Sequence, residues 1–143
     1  MEYKRYKPLI GKMFWWTWIP LTVLLIAIIV VSLNYPLALI LTIGVGLFCY
    51  YFLVSSLVAY VELREESLFI KFGFVFKKEI PYIKIRELEK VKRFYTESFL
   101  AIKNTIEHVN IKFNKFDVVS ISVKENDEFI KEVEKLVYEA KNR

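Results

Sequence analysis

The most constraining feature of the sequence is residues 13–59, which contain no Asp, Glu, Lys, Arg or His. The tripeptide Asn34-Tyr35-Pro36 divides this stretch into two apolar runs, residues 13–33 and 37–59. Each run exceeds the roughly 20 residues that an α-helix needs to cross a hydrocarbon core of about 30 Å. Pro36 suits the first turn of the second helix, because a missing backbone N–H costs little there. The stretch therefore predicts a transmembrane helical hairpin with a very short turn.

The residues that flank the hairpin predict its orientation. Trp15, Trp16 and Trp18 follow a basic segment, residues 1–12, and indole rings prefer the headgroup level, so we expect them to anchor one membrane interface. Basic residues lie outside both outer ends of the hairpin and are absent from its turn. By the positive-inside rule, the protein is predicted to cross a bacterial cell membrane twice, with both termini in the cytoplasm.

Two details of the apolar runs support a retained hairpin. The first run is too long for the apolar core of a signal peptide, and a second run follows at once. Gly44 and Gly46 lie in the second run, but their spacing does not make a GxxxG dimerisation face. We therefore expect these glycines to pack closely against the first helix.

Residues 60–143 change to alternating polar and apolar side chains and are predicted to form a cytoplasmic domain with a small core of its own. Asn114 and Lys115 are predicted to form a two-residue hairpin turn, since Asn tolerates the positive φ that such a turn requires. Turn residues and alternation together predict seven short strands, at 60–64, 68–73, 75–80, 87–93, 98–102, 106–113 and 116–123.

The C-terminal segment predicts an amphipathic helix that covers the sheet. Ser122 and Glu125 have the spacing of a capping box, which predicts the start of the helix. An apolar stripe at helical spacing follows, made of Phe129, Ile130, Val133, Leu136, Val137 and Ala140.

This order of elements, together with local sequence, resembles the bacterial pleckstrin-homology (PH)-like membrane proteins. The resemblance lies in LFIKFG at 68–73, KKEIP at 77–81 with Ile85 beyond, SFLA at 98–101, IKFNKFD at 111–117 and ISVKENDEFI at 121–130. It covers about residues 58–138, and an N-terminal pair of membrane helices is typical of the family. It implies a seven-stranded antiparallel β-barrel or sandwich with a C-terminal capping helix, hence an α+β membrane protein.

The resemblance also suggests a function. The family looks to include the immunity protein that protects a producer cell from its own antimicrobial peptide, as for sublancin. The first hypothesis is therefore immunity to a membrane-active bacteriocin, with the peptide or its membrane target as partner. The alternative is an adaptor that binds a protein or an anionic lipid at the inner membrane surface.

The residues indicate binding rather than catalysis. His108 is the only histidine and is predicted on the polar, solvent-facing side of a strand. Cys49, the only cysteine, lies within the second apolar run and is predicted to pack there. Neither a catalytic constellation, a zinc spacing nor a phosphate-binding loop is present, so we predict a non-enzyme without cofactor or metal. The formal charge of +5 lies mainly beside the hairpin, which disfavours nucleic-acid binding.

One cluster of basic residues is a candidate binding surface. Such clusters near a membrane attract anionic headgroups at about 1 kcal/mol per Lys or Arg. The alternative is that these residues are the solvated faces of two strands. The predicted patch consists of Lys77, Lys78, Lys84, Arg86, Lys90, Lys92 and Arg93.

Overall fold

The computed structural model describes residues 3–98, 101–102 and 105–143. It contains two long N-terminal helices, α1 (Lys12–Ser32) and α2 (Pro36–Val58), and a C-terminal helix, α3 (Asn126–Lys141). The described strands are β1 (Lys4–Tyr6), β2 (Tyr60–Leu63), β3 (Ser67–Lys71), β4 (Lys77–Pro81), β5 (Ile85–Lys92), β6 (Ala101–Ile102), β7 (Glu107–Phe113) and β8 (Asp117–Ile121).

Helices α1 and α2 form the predicted hairpin and are long and apolar enough to cross a membrane. Only 6% of the most apolar window of each helix is buried, so neither is a core helix of the domain. Tyr50 Oη donates a hydrogen bond of 3.1 Å to Thr22 Oγ1 across the pair. A Cβ at Gly46 would lie 2.9 Å from Leu25 Cδ2, as close packing predicts, whereas Gly44 faces open space and does not have the predicted role.

The N-terminal segment differs from its prediction as a separate basic lead. Its strand β1 pairs antiparallel with β2, with Lys4 opposite Leu63 and Tyr6 opposite Val61. The alternation of a three-residue strand is too short to be recognised in the sequence. The first sheet therefore has the order β1-β2-β3-β4, and the helical hairpin is inserted between two strands that are neighbours in it.

The second sheet packs against the first and completes the core. Its order is β5-β7-β8-β6, and β6 runs parallel to β8. Apolar side chains from both sheets and α3 form one cluster, in which Leu68, Ile111 and Phe129 are among the fully buried members. The fold class is as predicted, an antiparallel PH-like β-domain with a capping helix, to which the structure adds strand β1 and the parallel pairing of β6. Phe99 and Leu100, which fall in the predicted fifth strand, lie outside the described residues.

Helix α3 covers the core as its sequence predicts, but its start does not match the prediction. Phe129 and Val133 are fully buried, and the rest of the stripe packs against the core. The capping box is not formed, because Ser122 Oγ donates to the backbone oxygen of Glu107 instead. The helix begins at Asn126, whose side-chain oxygen accepts a hydrogen bond of 3.0 Å from the Val123 amide.

Two hairpins also differ in detail from their predictions. The β3–β4 connection is longer than expected, since β4 begins at Lys77 and leaves residues 74–76 outside the sheet. The β7–β8 turn holds three residues rather than two, because Phe113 pairs with Asp117. Asn114 has the expected positive φ, 49°, and its side-chain amide donates to Asp117 Oδ2 at 2.7 Å.

Candidate functional site

The tip of the β3–β4 hairpin is an exposed apolar surface beside α2. Phe74, Val75 and Phe76 are 52%, 68% and 61% exposed. The Phe74 ring nevertheless contacts Tyr51 of α2, with ring centroids 5.8 Å apart. The apolar tip is therefore continuous with the apolar surface of the helix.

A glycine holds this tip against α2. Gly73 has φ +136°, a conformation that side chains rarely adopt. A Cβ at Gly73 would lie 1.7 Å from Ser55 Oγ, so only glycine fits at this distance from the helix. The Ser55 hydroxyl also lies 3.5 Å from the Phe72 carbonyl oxygen, which accepts its hydrogen bond. Backbone and helix are thus in direct contact at the base of the tip.

Cations surround the base of the same hairpin. Lys71 and Lys77 lie opposite each other where the two strands meet the tip. The Lys71 ammonium lies 5.7 Å from the centroid of Tyr60, the first residue of β2 after α2. Lys78, the next residue along β4, places its ammonium 4.5 Å from the Phe113 ring. Together these residues place positive charge next to the apolar tip.

The structure does not bring all seven residues of the predicted basic patch together. Arg86 and Lys92 are six residues apart on β5, which separates them by roughly 20 Å. Lys90 forms ion pairs with Glu107 at 3.1 Å and Asp127 at 2.8 Å. The hydrogen bonds that its ammonium donates to Asp127 and Glu107 raise the pKa of Lys90, so its charge is already balanced within the fold.

The remaining members do not form one cluster, because they lie on β4, directly before β5 and at the two ends of β5. Arg93 pairs with Glu97 at 2.9 Å, and Arg86 donates to the backbone oxygen of Lys115. Lys77, Lys84 and Lys92 have no ion-pair partner among residues 3–98, 101–102 and 105–143. Only the group on β4 lies beside the helical hairpin.

The three tryptophans lie in the first two turns of α1. Trp15 and Trp16 are 47% and 77% exposed, and Trp18 is half-buried. The Phe14 ring packs edge-on against Trp15, with centroids 5.4 Å apart. The indoles therefore form an exposed aromatic surface at the end of α1 that adjoins the domain.

An acidic cleft lies at the opposite end of the first sheet. It has a volume of about 720 Å³ and lies between the β2–β3 turn and the C-terminal half of α3. Ile83, Leu136 and Ala140 give it apolar walls, and Arg143 is its one basic residue. Its remaining lining residues are Glu65, Glu66, Ser67, Glu79, Pro81 and Glu139.

Strand β1 is joined to α3 by a charged and aromatic contact. The Tyr6 ring packs edge-on against Phe129, and its hydroxyl donates to Glu132 at 2.7 Å. Lys4 pairs with both Glu128 and Glu132, and these hydrogen bonds raise its pKa. Burial alone would raise the pKa of Glu132, but hydrogen bonds from Lys4 and Tyr6 outweigh it and hold the pKa below its ordinary value.

A buried acid, Glu62, stabilises the outer face of the first sheet. Glu62 is only 6% exposed and accepts hydrogen bonds from Arg5 at 2.9 Å and Arg64 at 3.1 Å. Burial raises its pKa, yet the two guanidinium groups outweigh that effect and lower it. Because β1 supplies Arg5, this pair also depends on the segment before the helices.

His108 is not the surface residue that alternation predicts. It is 1% exposed, and its Nδ1 atom lies 3.1 Å from the backbone oxygen of Ile106. Its neighbours on the same face of the sheet are also buried, and Ser120 Oγ donates to Asn110 Oδ1 at 2.7 Å. The prediction failed because both faces of β7 are covered. Within the described residues, no group of three His, Cys, Asp or Glu side chains could hold a metal ion.

Comparison with known families identifies the domain. The bacterial PH domain family matches residues 59–137, which is more than half of the chain. The chain belongs to the bacterial PH domain family. No curated protein and no solved structure matches it. The matched range begins after α2, so strand β1 and the helical hairpin lie outside the part that defines this bacterial PH domain.

Membership of the family supports the coarse functional reading. PH domains bind lipids or proteins in general and are in general non-catalytic, and two apolar helices beside the domain indicate association with a membrane. The hairpin tip is not among the predicted functional residues, because alternation predicts a strand over residues 75–80. The signal that could have found the tip is Gly73 directly before three large apolar residues and two lysines.

Proposed function

We propose that this protein is a non-enzymatic adaptor, anchored in a bacterial cell membrane by α1 and α2, that binds a protein partner in the cytoplasm. The observation that carries the proposal is the pairing of β1 with β2. These strands flank the helical hairpin on both sides, so both outer ends of the hairpin must lie on one side of the membrane. The basic residues outside those ends favour the cytoplasmic side.

The same pairing argues against a cleaved signal sequence. Strand β1 precedes α1, and its residues Arg5 and Tyr6 bond to Glu62 and Glu132 of the domain. Cleavage after α1 would remove an edge strand together with both of these partners, of which Tyr6 is buried. Retention of α1 is therefore favoured by the fold as well as by the length of the apolar run.

The acidic cleft supports a protein partner. It lies at the end of β2 and β3 that is opposite to the junction with α2, and so faces away from the anchor. Its carboxylates and its apolar walls, Leu136 and Ala140, fit a cationic amphipathic segment. An anionic lipid headgroup would be repelled by Glu65, Glu66 and Glu139.

A photo-crosslinking experiment in the producing cell tests this proposal. The photoreactive residue replaces Ile83, which is 64% exposed in the cleft wall, or as a control Tyr138, which is 72% exposed outside it. We expect a defined crosslinked product from position 83 only. The charge reversals Glu66→Lys and Glu139→Lys should abolish it, whereas Glu134→Lys on the same helix should not. Equal products from both positions, or a product insensitive to cleft charge, would contradict the proposal.

Immunity to a membrane-active peptide stays a prediction that depends on the sequence resemblance. It would require action through the helices or the cytoplasmic domain, because only the short turn around Asn34 and Tyr35 would lie outside the cell. Expression of the full chain and of the cleft variant in a peptide-sensitive strain tests it. We expect survival with the full chain and its loss with Glu66→Lys and Glu139→Lys if the cleft is the binding site. Equal sensitivity of cells with and without the protein would contradict immunity.

A further inference from the structure

The tip of the β3–β4 hairpin exposes three apolar side chains, Phe74, Val75 and Phe76. Residues 74–76 are neither part of the core nor shielded by another element of the domain. They follow Gly73, whose contact with Ser55 fixes the tip against α2. The surface they expose is thus held in a defined position next to a helix whose own surface is apolar and exposed.

The length of α2 gives the depth of the tip. Twenty residues counted from Pro36 end at Ser55, and 20 helical residues span about 30 Å, the thickness of a hydrocarbon core. The boundary of the core therefore lies near Ser55. Phe74 packs against Tyr51, one helical turn closer to the bilayer centre. The contact thus places the tip inside the boundary.

The packing of α1 gives the same boundary independently. Thr22 bonds to Tyr50, and Leu25 lies against Gly46, which fixes the register of the two helices. The two helices run antiparallel, so each step back along α1 toward the domain matches a step forward along α2. In this register Trp16 is about level with Ser56. Indole rings prefer the headgroup level, so the tryptophans lie where the length of α2 puts the membrane surface.

The charged residues of the hairpin fit this depth. Phe72, level with Ser55 through its hydrogen bond, separates the tip from Lys71. Lys71 and its cross-strand partner Lys77 therefore lie just outside the boundary, at the level of the headgroups. An anionic bilayer surface binds segments whose apolar side chains enter the hydrocarbon core and whose cations stay at the headgroups.

We propose that Phe74, Val75 and Phe76 form a third membrane-inserted element, with Lys71 and Lys77 bound to anionic lipid headgroups. This inference rests on the proposed membrane anchor, since it needs the same bilayer around α2. It adds a lipid-binding site on the domain itself. With β1, β2 and the tip all held at the membrane, the domain keeps one orientation and the acidic cleft points into the cytoplasm.

Spin-label accessibility tests the insertion. The full chain carries Cys49→Ser and is reconstituted into phosphatidylcholine vesicles with a minority of phosphatidylglycerol. Labels are placed singly at Val75→Cys, at Leu41→Cys in α2 and at Glu66→Cys in the distal cleft. We expect the Val75 and Leu41 labels to collide often with oxygen, which dissolves in the bilayer. Their collisions with a water-soluble nickel chelate should be several-fold fewer than those of the Glu66 label.

The three positions separate the two proposals. If the Leu41 label is shielded from the nickel chelate and the Val75 label is not, the tip lies in water, and the inference is wrong while the anchor stands. If the Leu41 label is also accessible to the chelate, the anchor itself fails, and the inference falls with it.

A second measurement avoids a label at the tip. Amide exchange of residues 72–77 is followed in the same vesicles for the unlabelled chain and for Phe74→Ser with Phe76→Ser. We expect exchange to accelerate in the double variant, and Phe116→Ser, at the even more exposed β7–β8 turn, to leave it unchanged. Equal exchange in all three proteins would overturn the insertion.

Discussion

Helix α3 and the β3–β4 hairpin tip both carry closely spaced apolar side chains but differ in what covers them. Phe129 and Val133 of α3 are fully buried in the core between the sheets. Phe74 and Phe76 are more than half exposed, and the Phe74 ring contacts Tyr51 of α2. In the sequence the two segments look alike, since each has apolar residues beside lysines and glutamates. The comparison teaches that apolar side chains in a sequence indicate a segment that avoids water. They do not indicate whether that segment packs in a protein core or against lipid.

The largest expected effect is the difference in stability between a variant of α3 and a variant of the hairpin tip. Phe129→Ala should lower the free energy of unfolding of the domain by about 3–5 kcal/mol, because it removes a fully buried ring. Phe76→Ala should change it by less than about 0.5 kcal/mol, since its ring is not in the core. Denaturation of the full chain in detergent micelles measures both. A loss of similar size for the two variants would show that the tip belongs to the core.

A smaller effect is expected where the tip meets the helix. Gly73→Ala forces a side chain into a strained conformation and into contact with Ser55, at a cost of about 1–3 kcal/mol. It should also move the tip away from Tyr51, which spin-label distances between positions 51 and 75 would measure. Adding Ser55→Gly should remove the contact but not the strain. No change in distance in Gly73→Ala would mean that the hairpin is not held by this contact.

The contact between β1 and α3, which includes Tyr6, should make the stability of the domain depend on pH. Burial, and then the hydrogen bond to Glu132, raise the pKa of Tyr6 to about 12. The unfolded chain loses this proton near pH 10, so the stability contributed by Tyr6 is complete below pH 10 and is lost as pH rises toward 12.

Denaturation at a series of alkaline pH values measures this dependence. Tyr6→Phe should reduce the loss of stability between pH 10 and 12. Part of the loss should persist, because burial also raises the pKa of Tyr82, and hydrogen bonds to Glu128 and Glu132 raise that of Lys4. Parallel stability curves for the parent and Tyr6→Phe would contradict the assignment.

The smallest expected effect concerns the lysines at the exposed tip. Lys77→Gln should weaken the phosphatidylglycerol-dependent protection of the tip amides by about 1 kcal/mol, the value typical of a cation at an anionic surface. Lys90→Gln is the matched control, since that ammonium already pairs with Glu107 and Asp127. Amide exchange at increasing phosphatidylglycerol content measures both. Equal effects would show that general charge, and not the position beside the tip, determines lipid binding.

The sequence predicts those features that depend on long periodic patterns. The two helices of the hairpin, the stripe of α3 and the alternation of β7 and β8 are all strong signals, and the observed helices begin and end within one residue of the predicted apolar runs. Features that depend on distant partners could not be predicted. The three residues of β1 become a strand only because β2 offers an edge, and His108 is buried only because the outer face of its sheet is covered.

The candidate site follows the same division. The cations at 77, 78 and 84 could be identified from composition, but whether a lysine is available depends on acids distant in sequence, as Lys90 and Asp127 illustrate. Val75 and Phe76 of the apolar tip are predicted in a strand, because Val and Phe are good strand formers. Gly73 marks a turn in the sequence, but the contacts of Gly73 with Ser55 and of Phe74 with Tyr51 place the tip beside α2, and no local pattern encodes them.

The central claim is that the helical hairpin crosses the membrane from one side, inserted between β1 and β2 of a cytoplasmic domain. Single cysteines at Lys7, Asn34 and Lys115, all exposed, test it in a Cys49→Ser background with a membrane-impermeant thiol reagent. In intact cells we expect the Asn34 position to react, and the Lys7 and Lys115 positions to react only after lysis. Reaction of either Lys7 or Lys115 in intact cells would contradict this account.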